Sequence, residues 1–285
     1  RALLSFSLGR PADADVDGAR ISAINGEAVS ASPVDMSVPP PRPGVALRQA
    51  PRRPEDWVPP LTARQSSGAL WLSEYGEVRY EISVVPVWRL DQETISAYSI
   101  RLRLPDHVER LSDLDQETLS HLTLGHLLPI LEDYRKEGAT FALIVPLAFS
   151  ALSARRPRTA LIARCHNVSD IVRRAVIAEV TDLNPGIPVG LIRETIAMVK
   201  PFVRVVTATI RTTKDVGAVY REVAFHGVAV RWPSGSTSGI ETLLKVARRR
   251  TPNVVVHGVP HTFTSDDLKA MQVTHATWIE QRPER

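Results

Sequence analysis

The sequence predicts an α/β fold, a closed β/α barrel behind a Pro-rich, largely irregular N-terminal segment. Three observations point there. Strands alternate with helices at least five times with short connections, the mark of a parallel sheet built from β-α units. The alternating part, residues 69–285, has the length and unit number that favour a closed ring over an open sheet, although periodicity alone leaves closure open. Ten of the 22 Pro fall within the first 60 residues, so the two halves are built differently.

Residues 1–68 read as a linker. The run VPPPRP at 38–43 is followed by Pro51, Pro54, Pro59 and Pro60, and Pro blocks both helix and sheet ladders. Seven basic and seven acidic residues cancel in residues 1–60, so the net charge of +4 belongs to the remainder. A Pro-rich docking ligand is the functional alternative. The first residue is Arg, so an upstream region able to carry a membrane anchor is expected.

The elements follow in order. Ala69–Val78 is a lead-in hairpin turning at Tyr75-Gly76. Tyr80–Pro105 is the organising strand pair. Val84, Val85 and Val87 form the first apolar run, and Ile100, Leu102 and Leu104 alternate with Arg101 and Arg103 in the second, with a turn at Gln92-Glu93-Thr94. Ser112–Gly138 is a helix capped by Ser112, with Asp113 and Asp115 at its positive end. Leu119, Leu122, Leu127, Ile130, Leu131 and Tyr134 form its apolar face, and Pro129 kinks it. Strands are expected at Phe141–Val145, Ala175–Val180, Val203–Ile210, Gly227–Arg231, Val254–His257 and Ala276–Ile279. Helices are expected at Ala148–Leu152, Thr159–His166, Val189–Val199, Lys214–Val223, Ser238–Arg250 and Ser265–Met271.

Composition excludes several classes. A pI near 9.4 is milder than that of a dedicated nucleic-acid binder. Arg155-Arg156-Pro157-Arg158, Arg173-Arg174 and Arg248–Arg250 read as solvated faces or helix ends, because no aromatic residues interleave them for base stacking. The single Cys165 rules out an internal disulfide and suits a reducing cytosol. No window reaches the length of a membrane span. The expected location is the cytoplasm, with tethering possible only through the upstream region.

In such a barrel, chemistry sits at the carboxyl ends of the strands. Those ends carry one acid, Glu179, with Asp182 just beyond. Divalent cations of the magnesium type need several oxygen ligands, so no metal and no other cofactor is expected. Cys165 beside His166 reads as a buried packing residue, since neighbours on a helix do not face each other. His257 and His261 flank a GVP turn and read as polar loop histidines. Trp278 reads as packing, and no phosphate-binding glycine motif is present.

The order of pieces resembles the EAL domain, the bacterial barrel that hydrolyses cyclic di-GMP. YEISVVPVWRL is similar to that family's Gln-Pro-Ile strand, with Pro86 at the Pro and Val85 at the Gln. AYSIRLRLP is similar to its signature segment; Ser99, Ile100 and Arg101 stand at Glu, Ala and Leu, and Arg103 matches the Arg. The helix and strand around Pro146 resemble the next pair, with Pro146 at an Asn. AVIAEVTDL fits through Glu179, Thr181 and Asp182. Ala208 and Thr209 fall at the paired Asp, and Ala229 and Arg231 at a Lys and an Asp. Gly258 and Val259 match, while His257 and Pro260 replace two Glu.

The resemblance implies a modified TIM-type (β/α) barrel of the EAL type, degenerate in its metal ligands and not an active phosphodiesterase. It implies a catalytically inactive interaction or regulatory module in cyclic di-GMP-related signalling, with a protein partner or a second copy of the chain. The alternative is a receptor that binds cyclic di-GMP or another anionic nucleotide without cleaving it, through Arg103 and Glu179. An Arg101 or Trp278 side chain plugging the site would count against that alternative. A different enzyme on the barrel lacks an acid–base constellation.

Overall fold

The strand pair expected at Tyr80–Pro105 is the hub of the molecule. In the computed structural model it is β2 (Gly76–Arg89) and β3 (Thr94–Arg103), antiparallel, with Val85 opposite Ser99 and Ser83 opposite Arg101. Glu93 closes the turn in the left-handed region at φ 51°. The structure describes residues 66–108, 110–136, 142–184, 186–212, 223–233 and 239–279. The Pro-rich segment through residue 65, the Gly138 stop and nearly all of the helix expected over Lys214–Val223 lie outside the described residues.

Ahead of this pair, β1 (Ser66–Leu72) runs antiparallel to β2 along its whole length. The hairpin turns through Gly76 at φ 73°, a conformation glycine adopts without steric cost. Gly68 faces Tyr80, and a Cβ there would come within 2.6 Å of the phenol oxygen. The absent side chain therefore makes room for the ring.

From β3 onward each strand is parallel to the one before it. The order is β4 (Ala142–Ala148), β5 (Val176–Thr181), β6 (Val205–Ile210), β7 (Gly227–Arg231), β8 (Val254–Val259) and β9 (His275–Trp278). Then β9 pairs antiparallel with β2, Trp88 opposite Ala276 and Arg89 opposite His275. The ring of β2 to β9 is closed, and closure removes every sheet edge within it.

Alternation along the strands sorts the core. Val87, Ala97, Ala142, Ile144, Ile177, Val205, Ala229 and Val255 form a separate apolar cluster, which is the barrel interior. The intervening residues, Val145, Ala178, Val206, Val228 and Val254 among them, join the larger cluster under the helices. The same inward parity, carried toward the carboxyl ends, brings Ser99, Arg101, Glu179, Thr209, Arg231, His257 and Thr277 to the mouth.

The helices wrap the ring. α1 (Asp113–Lys136) begins where Ser112 Oγ accepts from the Asp115 amide at 3.1 Å, a side-chain cap. It runs on through Pro129, which is exposed. Its buried stripe is Leu119, Leu124, Leu127, Leu128 and Leu131 with Ser120 and Thr123, so the expected Leu119, Leu127 and Leu131 are core, whereas Leu122, packed against it, and Ile130 are half-buried. The face is broadened from the expected one toward β4, which is reached through a polar side chain: Ser120 Oγ accepts from the Ala148 amide at 3.0 Å. The β1–β2 hairpin docks on the same helix. The Ser73 amide and hydroxyl both donate to Asp115 Oδ1 at 2.9 Å, and the Tyr80 hydroxyl meets His126 Nε2 at 3.3 Å.

Next come α2 (Phe149–Ser153) and α3 (Arg155–His166). The second starts four residues before the expected Thr159. Pro157 lies in its first turn, where amides have no helical partner and proline is tolerated. A short α4 (Asp170–Arg173), capped by Ser169, was not expected at all. α5 (Val189–Val199) continues into a 3₁₀ turn, Lys200–Phe202. α6 (Ile240–Arg248) and α7 (Ser265–Ala270) complete the described helices, the latter opened by a reciprocal Thr264–Asp267 capping box.

Candidate functional site

The mouth of the barrel is crossed by one chain of hydrogen bonds. At its centre is Glu179 on β5, 3% exposed. Thr209 Oγ1 on β6 donates to Glu179 Oε1 at 2.7 Å. His257 Nε2 on β8 lies 2.9 Å from Oε2. Burial alone would raise the Glu179 carboxyl. The charge and hydrogen bond of His257, the Thr209 hydroxyl and the Arg231 charge outweigh it and hold the group below the usual carboxylate range. An ionised carboxylate only accepts, so Nε2 of His257 carries the shared proton.

The other ring nitrogen continues the chain. His257 Nδ1 lies 3.5 Å from the Thr277 hydroxyl on β9. That oxygen accepts from the Gly258 amide at 3.0 Å and from an Arg101 guanidinium nitrogen at 2.7 Å. Arg101, on β3, also reaches the Trp278 carbonyl at 3.4 Å. A register shift between His257 and Val259 makes this possible. Gly258 takes up the extra residue at φ 74° and turns its amide onto Thr277.

Around this chain stand hydroxyls, cations and the carboxylates Asp182 and Glu81. Ser83, Ser99 and Thr207 are all buried close by on β2, β3 and β6. Asp182, just past β5 with φ 58°, accepts from Thr181 Oγ1 at 3.0 Å and from Arg211 at 2.5 Å. Arg103 stands one inward position beyond Arg101, opposite Glu81.

The sequence reading took His257 for a loop residue. It is instead the last inward residue of β8 and the ion-pair partner of Glu179. β8 runs on through Val259, so the flanking GVP misled. The two predicted site residues separate: Glu179 is the centre of the network, and Arg103 stands at the rim of the same mouth. Sequence reasoning missed Thr209 and Thr277 as functional polar residues. An inward threonine at a strand end was the available signal.

Other candidates fall away on geometry. Cys165 is 6% exposed, and burial pushes its thiol up to about 11. His166 instead packs edge-on against Phe202, ring centroids 4.8 Å apart. Trp278 is 5% exposed and donates Nε1 to the Phe263 carbonyl, a packing role.

The EAL resemblance implies divalent metal ions at this mouth. The residues present do not fit them. Both Glu179 oxygens are engaged, Ser99, Thr209, Arg231 and His257 occupy positions at which the resemblance implies carboxylates, and Arg101 adds a cation bound to Thr277. Among the described residues no group of three or more His, Cys, Asp or Glu side chains could hold a metal ion.

No family model matches the sequence, and no curated protein matches it. Solved structures do match the fold. The EAL domain of Xanthomonas citri FimX, in complex with c-diGMP, superposes with a TM-score of 0.52 at 10% identity, over 70% of this chain and 85% of that one. The EAL enzyme Bd1971 in its cAMP-bound form gives 0.51 at 12% identity, over 70% and 60%. Klebsiella pneumoniae BlrP1 in its calcium/cy-diGMP complex gives 0.50 at 10% identity, over 70% and 54%. The chain therefore spans little more than half the length of the last two. No helix among the described residues is long and apolar enough to cross a membrane. The closed ring of eight strands, with β2 alone antiparallel to both neighbours, has the fold of the EAL domain.

Proposed function

We propose that this chain is a catalytically inactive EAL-like barrel, acting as a protein-interaction or regulatory module in cyclic di-GMP-related signalling. The observation that carries the reading is the engagement of Glu179. Its oxygens face Thr209 and His257, and Arg101 on β3 reaches past β2 to Thr277 on β9 at the same mouth. Hydrolysis of a phosphodiester on this scaffold needs a metal-activated water held by several carboxylates. A guanidinium in their place repels a divalent cation, and the His257 nitrogen that faces the site is taken up by Glu179. In the same proposal, residues 1–68 are a tether and residues 69–285 the docking barrel.

The second reading is a receptor that binds the dinucleotide without cleaving it. Arg103 and Arg231 at the rim favour it, since guanidinium groups suit phosphate, and the FimX EAL domain is a complex with c-diGMP. The Arg101–Thr277 hydrogen bond, which occupies a guanidinium nitrogen at the same mouth, counts against it.

Incubation with cyclic di-GMP and magnesium or manganese, followed by chromatography, tests the first reading. No linear product is expected, and turnover abolished by Glu179→Gln would overturn it. Calorimetry separates the second reading: a saturable heat lost in Arg103→Ala would establish the receptor.

A further inference from the structure

The end of the barrel opposite the mouth carries an unbalanced band of positive charge. Strands β5, β6, β7 and β8 are neighbours, so the loops entering them share one rim. Hydrogen bonds tie these loops together. The Arg204 amide donates to the Val176 carbonyl at 2.7 Å, and the His226 amide donates to the Val206 carbonyl at 3.0 Å. The His226 carbonyl in turn accepts from Thr251 Oγ1 and Asn253 Nδ2.

Seven cations lie on this rim: Arg173 and Arg174 before β5, Lys200 and Arg204 before β6, and Arg248, Arg249 and Arg250 before β8. Stretches 170–175, 199–204, 223–227 and 247–253 contain one carboxylate, Asp170, which pairs with Arg173. Helix ends attract cations through the dipole, which accounts for Arg173, Arg174, Lys200, Arg248 and Arg249. It does not account for Arg250 or for the scarcity of acids among the described residues of these stretches, beside which Glu132 adds a second carboxylate, its Oε1 accepting from the Ser169 amide at 3.0 Å.

Apolar side chains stand among the charges. Ile171 is 55% exposed on α4, three residues from Arg174. Pro201 and Pro252 are exposed, and Phe202 is half-buried against His166. Cations with a protruding aliphatic side chain match the interface of an anionic bilayer, where the charge meets phosphate and the apolar group enters the acyl boundary. Nucleic acid fits less well, because among the described residues no aromatic face on the rim is open for base stacking. A row of loop ends on one barrel face also suits a surface better than a peptide groove.

We propose that this rim docks the barrel on an anionic phospholipid surface, with Arg174, Lys200, Arg249 and Arg250 against the headgroups and Ile171 inserted between them. The mouth then faces away from the membrane and stays open to a partner.

Vesicle co-sedimentation of the 285-residue chain tests this. Vesicles of phosphatidylcholine with about one-third phosphatidylglycerol are compared with phosphatidylcholine alone. Binding is expected only to the anionic vesicles and weakens with salt. The triple change Arg174→Glu, Arg249→Glu and Arg250→Glu should lower the partition coefficient by more than about tenfold, since each cation contributes separately near the surface. Ile171→Ser should lower it by about threefold or more and remove the part that survives salt. Unchanged circular dichroism in both variants keeps the comparison valid. Absence of binding to anionic vesicles would overturn the proposal, as would full binding by the triple variant. So would charge-dependent binding of a DNA duplex with vesicle binding indifferent to Ile171→Ser.

Discussion

Glu179 on β5 and His257 on β8 meet at 2.9 Å across the barrel mouth, with side chains 4% and 11% exposed. Two elements 78 residues apart in sequence are locked by one hydrogen bond in a place that water barely reaches. Removing one partner of such a pair leaves an uncompensated buried group, which is costlier than never having had the pair. His257→Ala is therefore expected to lower unfolding stability by about 3–5 kcal/mol. The double change Glu179→Leu with His257→Leu should recover most of the loss. Urea denaturation of wild type, Glu179→Leu, His257→Leu and the double variant measures it, and additive single effects would show that the two groups do not interact.

The pair also sets an acid limit. The Glu179 carboxyl lies below its unfolded value, so its contribution is fully present above that value and disappears as pH falls through the lowered one. Glu179→Gln should flatten the stability profile below about pH 4.3, the ordinary glutamate value. An identical slope in wild type and variant would place the acid sensitivity elsewhere.

His275, on the barrel floor, gives a second and separable pH response. Burial first, and then the Arg89 charge, push its imidazole down from 6.5 to about 4, against the pull of Asp91. The unfolded chain binds the proton more readily, so stability is complete above 6.5 and falls with pH until about 4. The loss across that window is about 3 kcal/mol. His275→Leu should abolish it while leaving the slope below pH 4 in place. Thermal melts at half-unit pH steps read the difference, and a retained slope between pH 6 and 4.5 would refute the assignment.

Much of the fold was legible because its signals are local. The alternation in Tyr80–Pro105 reports the β2–β3 pair directly, and Ser112 with Asp113 and Asp115 marks the start of α1. The misses came where tertiary context decided. Leu122 looked like core from spacing, yet α1 turns Leu124 and Leu128 inward because its neighbours are β4 and the hairpin. The site was half-legible. Glu179 stood out as the lone carboxylate at the strand ends. His257 did not, because its partner is 78 residues away and only barrel closure brings them together. Arg101 was legible as a strand-end residue at the mouth, while its acceptor Thr277 depended on the Gly258 bulge.

Cys165 should behave as a core residue. Its thiol, lifted to about 11 by burial against the opposing charge of Arg173, is almost entirely protonated at neutral pH. A disulfide reagent such as dithionitrobenzoate should react at least about a hundredfold more slowly with the native chain than with the chain in denaturant. Comparable rates would mean that α3 opens readily.

Gly258 is the point at which backbone conformation and the polar network depend on each other. Its φ of 74° is in the region that side chains disfavour, although no atom lies within 4 Å of where a Cβ would stand. Strain alone therefore governs a substitution there, without any clash. Gly258→Ala is expected to cost about 1–2 kcal/mol. If the backbone relaxes instead, the amide swings away from Thr277 and releases the hydroxyl that Arg101 and His257 share. The two outcomes differ in coupling. Pure strain adds to the His257→Ala loss, whereas relaxation makes the Thr277→Val change nearly silent in the Gly258→Ala background. Denaturation midpoints of these single and double variants decide between them, and a stability change below about 0.3 kcal/mol for Gly258→Ala would remove the bulge from the account of the site.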